Sequence, residues 1–284
     1  MIDIKALMLK SFASIFRFIE YFGFHLTPTH HYFPIPRTKE LTNDIFNKRS
    51  ECIGIDWNID TQKYYINKLL PSYLKEVVFA KNKGLSILDS AVLHMMIRHH
   101  KPKKMIEIGC GASTRIAARA IMTNLKEGYP CELISIDPFP DKDIINGFPG
   151  LSKIIVNKVE KINYDEIIDC DLLFIDSSHV VKIGGDVNYE ILELVPRIKN
   201  GALIHWHDIL IPDEYCIDWV KGNLYFWSEQ YLLHAFLKYN REYEILWASR
   251  YLHINKANEL KAAFPAFAPE NSRNTSFWIK RVVK

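Results

Sequence analysis

The stretch GALIHWHDILIP, residues 201–212, sets His205, His207 and Asp208 within four positions of a run that otherwise reads as a buried strand. Burying imidazole or carboxylate groups costs several kcal/mol, roughly, unless a hydrogen-bond partner, a metal or a substrate meets them. In a second stretch, DLLFIDSSHV, the apolar run ends on Asp176 and His179 follows three residues later. A carboxylate and an imidazole at such a strand rim can hold a divalent cation and accept a proton, respectively. If Asp176 and Asp208 close neighbouring strands, their charges repel unless a cation, a proton or a base lies between them. Alternation along the strand turns His205 and His207 to one face and Asp208 toward the other until the chain turns. His205, deeper in the run, reads as a hydrogen-bonded core histidine; His179, His207 and Asp208 are the candidate catalytic residues.

A third site is EIGCGASTR, in which Glu107, Gly109, Gly111 and Ser113 lie between a strand-like and a helix-like run. Glycines there let the backbone pass close to a cofactor, and a helix start offers free N–H groups. Asp137, at the end of CELISID, can take the two hydroxyls of a cofactor ribose, and it lies further from the glycines than the roughly 20 residues usual in dinucleotide folds. With Asp176 these residues form the expected cofactor site.

Positioning such groups requires strands that end together. Short apolar runs at 104–109, 131–137, 152–159, 171–176 and 201–209 alternate with helical patterns at 113–125 and 186–198, preceded by helices over 60–83 and 86–102. Strands separated by helices predict crossover units and an α/β, doubly wound, mainly parallel sheet that binds ligands beyond its carboxyl ends. For helix 86–102, Asp89 or Ser90 offers start chemistry and Pro102 the stop. A helix near 227–239 and closing strands at 243–252 and 275–283 complete the pattern. Residues 1–84 are expected to form an extension and residues 85–284 the cofactor-binding domain.

In that extension, Ile4, Leu7, Met8, Phe12, Ile15, Phe16, Ile19 and Phe22 follow one helical face, predicting an amphipathic helix over 4–22. Lys10, Arg17 and Glu20 interrupt it, so it cannot span a bilayer, and no small-residue cleavage site follows. Docking on the protein's own body, peripheral membrane contact or self-association would use that face. The loop HLTPTHHYFPIPRTKEL is held extended by Pro28, Pro34 and Pro36; its His25, His30, His31, Tyr32 and Phe33 either line a substrate pocket or strap the domain. With 36 basic against 33 acidic residues, the net charge of +3 argues against nucleic acid as the main partner. Five scattered cysteines without a CxxC pair indicate neither a disulfide framework nor a thiolate zinc site and fit a reducing cytoplasm.

Taken in order, EIGCGAST, ISIDPFP, LLFIDSSHV and GALIHWHDI resemble a class I S-adenosylmethionine-dependent methyltransferase over roughly residues 85–284. More narrowly, HYFPIP, IDSSHVVKIGGDVNYEILELVPRIKNGALIHWHDI and FWSEQYLLHAF are similar to a bacterial subgroup of these enzymes with few assigned substrates. The resemblance implies a Rossmann-like seven-stranded sheet with a reversed C-terminal hairpin. It implies a cofactor loop at Glu107, Gly109 and Gly111 and a ribose acid at Asp137. Metal-dependent O-methyltransferases of similar fold place carboxylates where Asp176 and Asp208 stand, which implies Mg²⁺ or another divalent cation. Here His207 occupies the place of a further Asn, Asp or Glu, which leaves open a metal-free mechanism with His179 or His207 as base. The implied acceptor is a sugar hydroxyl, as on a glycan, or another small hydroxylated metabolite, with Trp206, Trp227 and Tyr231 able to shape its pocket. Three alternatives remain at this point. A nicotinamide-dependent oxidoreductase would want a third glycine at Ser113, a non-haem iron enzyme would use His205 or His207 with Asp208, and a non-catalytic protein would bind the cofactor only.

Overall fold

A computed structural model describes residues 15–29, 32–77, 84–267 and 273–282. Seven strands form one sheet: β1 (Lys104–Ile108), β2 (Glu132–Ile136), β3 (Lys153–Ile155), β4 (Leu172–Ile175), β5 (Leu203–Trp206), β6 (Tyr243–Ala248) and β7 (Phe277–Arg281), in the order β3-β2-β1-β4-β5-β7-β6. The first five are parallel; β7 runs antiparallel between β5 and β6. This is the reversed hairpin expected from the sequence. A dinucleotide fold instead ends its sheet on a parallel sixth strand beside the fifth.

Each central strand is buried on both faces because alternate side chains enter two apolar layers. Met105, Leu172, Phe174, Leu203 and Trp278 meet helices Ile87–His100 and Ala112–Lys126 on one face. Ile106, Ile175, Ile204, Trp206 and Ile279 meet the helical turns of 186–197 and helix Glu229–Leu237 on the other. The helical run 59–76, grouped by sequence with the extension, packs Tyr65, Ile66, Leu69 and Leu70 into the first of these layers. Its Gln62 accepts the Ala248 N–H of β6 at 3.0 Å.

Several expectations are corrected. Helix Ile87–His100 is capped by Ser86, whose hydroxyl accepts the Asp89 N–H at 3.0 Å, so neither Asp89 nor Ser90 starts it. The expected strand 243–252 stops at Ala248, where β7 begins opposite at Phe277, and the chain turns into helix Ser249–Asn255. A further helix, Ala257–Ala263, was not legible from periodicity. Of the expected helix 4–22, residues 1–14 lie outside the described residues; 15–20 are helical, with Phe16 and Ile19 half-buried and Phe18 68% exposed, followed by Tyr21 and Phe22 at 86% and 60%. His30 and His31 lie outside the described residues, while His25 pairs with Glu20 at 3.1 Å and stacks on Phe16. Among the described residues no helix is long and apolar enough to cross a membrane, and the five cysteines are free.

Candidate active site

The glycine loop follows β1 because the strand must turn at once into helix Ala112–Lys126. Gly109 makes the turn at φ +80°, and a Cβ there would lie 1.9 Å from the Asp176 carbonyl oxygen. No other residue type fits between the ends of β1 and β4. Beneath the loop, Glu107 is wholly buried and accepts the hydroxyls of Ser113 and Ser135 at 2.7 and 2.6 Å. Burial pushes this carboxyl up to about 7, against the pull of Ser135 and Ser113. Glu107 and Ser113 are thus bonded to each other beneath the loop. Gly111 remains open, with nothing within 4 Å of the place a Cβ would take. At the end of β2, Asp137 accepts the Cys110 N–H at 2.9 Å and the Phe139 N–H at 2.7 Å, bringing its carboxylate against the same loop.

Past the ends of β4 and β5 the predicted acids and histidines meet. The strands pair in parallel up to Ile175 and Trp206, and the His207 N–H still donates to the Ile175 carbonyl, so Asp176 and Asp208 leave the sheet side by side. His179 and Asp208 then adopt φ +60° and +56°, conformations uncommon outside glycine that concentrate at functional sites. His179 Nε2 lies 3.3 Å from Asp176 Oδ1 and 3.6 Å from Asp208 Oδ2. His207 Nδ1 lies 3.3 Å from Asp208 Oδ1 and 3.8 Å from Asp176 Oδ1. Two imidazoles thus stand between two carboxylates.

Burial opposes charge on Asp176, His179 and His207, yet the opposite charges outweigh it. Asp176 is held at about 2 by His207 and His179, and His207 is raised to about 9 by Asp176 and Asp208. His179 is raised well above its ordinary value by Asp176 and Glu229. His205 behaves oppositely: desolvation and the neighbouring His207 push it well below, and it stacks on Phe174 with its Nε2 3.1 Å from Ser276 Oγ. It is the core histidine the sequence suggested, and it lies outside the group Asp176, His179 and Asp208 whose ligand atoms converge.

Four contributors were not expected at this site from the sequence, where Asp89 was read only as a helix start. Glu229, at the start of helix Glu229–Leu237, lies with Oε2 2.8 Å from His179 Nδ1. Glu190, also buried, accepts the Ser177 hydroxyl at 3.0 Å. Thr275 donates its hydroxyl to Asp208 at 3.2 Å and lies 3.3 Å from His207 Nε2. Asp89 accepts the Thr275 N–H at 2.9 Å, the Ser249 hydroxyl at 2.7 Å and the Ser86 hydroxyl at 2.8 Å, fastening the start of β7 beside the cluster. A buried acid in the apolar blocks FWSEQYLLHAF and SILDSAVLHMM was the available signal. Of the aromatic residues expected to shape a pocket, Trp227 packs on His179 with centroids 4.5 Å apart. Trp206 is wholly buried in the core, and Tyr231 donates its hydroxyl to Glu214.

Residues 106–209 match the family described as a methyltransferase domain. That segment runs from β1 past the end of β5, and the sheet around it has the order and reversed hairpin expected of the class I methyltransferase fold. An uncharacterized protein of Archaeoglobus fulgidus is 28% identical over 193 residues, 61% of this chain and 81% of its own. The O-methyltransferase TomG of Streptomyces achromogenes, solved with S-adenosylmethionine, is 11% identical at TM-score 0.44, covering 85% of this chain and 94% of its own. The S-adenosylhomocysteine-bound methyltransferase PaMTH1 of Podospora anserina is 13% identical at TM-score 0.40, covering 92% and 100%.

Proposed function

We propose that this methyltransferase transfers a methyl group to a hydroxyl oxygen of a sugar or another small hydroxylated molecule, with His179 accepting the hydroxyl proton. The observation that carries the reading is the position of His179 Nε2 between Asp176 and Asp208, at the strand exits that also border the Gly109 turn. Gly111, Asp137 and the backbone of the glycine loop would hold S-adenosylmethionine, whose sulfonium supplies the electrophilic methyl. The chain's own work is to bring the acceptor oxygen into line and to take its proton.

Asp208 and Asp176 favour the protonated imidazole that forms as the hydroxyl is consumed. His207, protonated at neutral pH, offsets one of the two negative charges and keeps the acids from repelling each other. Trp227 covers one side of His179 and limits water there. Ligand atoms of Asp176, His179 and Asp208 lie within 4.8 Å of one another, so these three fit a divalent cation. A cation held there would supply Lewis-acid polarisation of the acceptor oxygen, and His207 would then be the available base.

The deciding experiment presents methyl-labelled S-adenosylmethionine and a panel of sugars, glycans and small phenols to the purified protein, with Mg²⁺, Mn²⁺ or chelator. Label in an ether product, reduced about 10²- to 10⁴-fold by His179→Gln with cofactor affinity kept, is expected for a general base. Absence of cofactor binding, or full turnover in His179→Gln under chelator, would overturn the reading.

A further inference from the structure

We propose that Glu229 is the positioning residue of His179: its carboxylate holds the Nδ1 proton and thereby aims Nε2 between Asp176 and Asp208. The proposal rests on His179 being the proton acceptor but is tested independently of turnover. A histidine ring on a loop has two free rotations and two tautomers, and only one combination presents a usable Nε2. Both are determined here by a residue 50 positions away. Glu229 Oε2 lies 2.8 Å from Nδ1, and both side chains are buried.

The contact is one of several from the same short segment. The N–H groups of Ser228 and Glu229 both donate to the His179 carbonyl, at 2.9 and 3.1 Å. The Ser228 hydroxyl accepts the Val181 N–H at 2.8 Å, and the Trp227 ring packs on the imidazole. Residues 227–229 therefore grip the loop after β4 by backbone, side chain and ring together, which sustains φ +60° at His179. A purely structural acid would need none of this convergence on one imidazole. The arrangement follows the general rule that a working histidine has its second nitrogen held by a carboxylate or carbonyl.

The test uses ¹⁵N-histidine-labelled full-length protein, with His179 assigned by the signal lost in His179→Gln. Wild type is expected to show a slowly exchanging, strongly downfield Nδ1 proton on His179. Glu229→Leu, similar in volume and unable to accept a hydrogen bond, should abolish that signal while S-adenosylmethionine affinity stays within about twofold. Glu229→Gln, which keeps an acceptor oxygen but no charge, should retain the signal further upfield, and it carries the test if the leucine variant does not fold. Once an acceptor is known, kcat should fall about 10- to 100-fold in Glu229→Leu with the KM for cofactor unchanged. A His179 Nδ1 signal unchanged in Glu229→Leu, or unchanged in Glu229→Gln where only that variant folds, or its absence from wild type, overturns the proposal. Loss of the Nδ1 signal without methyl transfer to any acceptor would instead count against the proposed function alone.

Discussion

At the scale of single residues, the cluster is a set of charges that balance one another in a confined space. His207 illustrates the consequence for pH. Its folded pKa is raised to about 9 from 6.5, so its contribution to stability is complete below about pH 6.5 and is lost as pH rises through 9. Counting its interaction with Asp176 once, roughly 3 kcal/mol is at stake. Denaturant unfolding at pH 6 and pH 9.5 should show a decline in wild type and a flatter dependence in His207→Asn, provided chelator is present at both values. His179 is protonated at rest for the same reason, so methyl transfer under chelator should accelerate with pH into the alkaline range. A flat pH–rate profile would contradict the assignment of His179 as base.

At the scale of elements, the site depends on where strands stop. Gly109 has no substitute, because its φ of +80° and its approach to the Asp176 carbonyl both exclude a Cβ. Gly109→Ala should lower stability by at least about 1–3 kcal/mol from backbone strain and should abolish cofactor binding in calorimetry. Asp89 is the corresponding fastening for β7. Asp89→Ala would leave the buried N–H of Thr275 and the Ser249 hydroxyl without their acceptor, costing about 1–3 kcal/mol for each. Because Thr275 holds Asp208 and faces His207, hydrogen exchange at Thr275 and Ser276 should rise in this variant. Protection in β1 and β2 should stay unchanged.

The whole molecule combines a deeply buried sheet with an exposed, aromatic N-terminal segment. Phe18, Tyr21, Phe22 and Phe24 are 60–86% exposed, so replacing all four by Ser should move the unfolding midpoint by no more than about 2 °C. A larger loss would mean that the segment packs on the body in solution. Adsorption to lipid vesicles or self-association, if either occurs, should weaken in the same variant.

Much of this architecture was legible from local order. Short apolar runs between helical patterns specify a parallel sheet because a strand buried on both faces has no polar side, and Asp176, His179, His207 and Asp208 follow such runs directly. Gly109, Gly111 and Asp137 were readable for the same reason: a strand-to-helix turn and a strand end have fixed places in the fold. Periodicity could not show that β6 ends at Ala248, since strand length depends on where β7 begins opposite, nor that Glu107 and Ser113 bond each other beneath the loop. Least legible was the hold on the histidine. Glu229, Thr275 and Asp89 come from segments far along the chain, and only the closing of helix Glu229–Leu237 and β7 against the sheet brings them to His179, His207 and Asp208. The sequence determined which groups reach the rim; tertiary packing decided which of them are charged, which are held and in what direction each one points, because burial and proximity depend on neighbours that the chain order does not record.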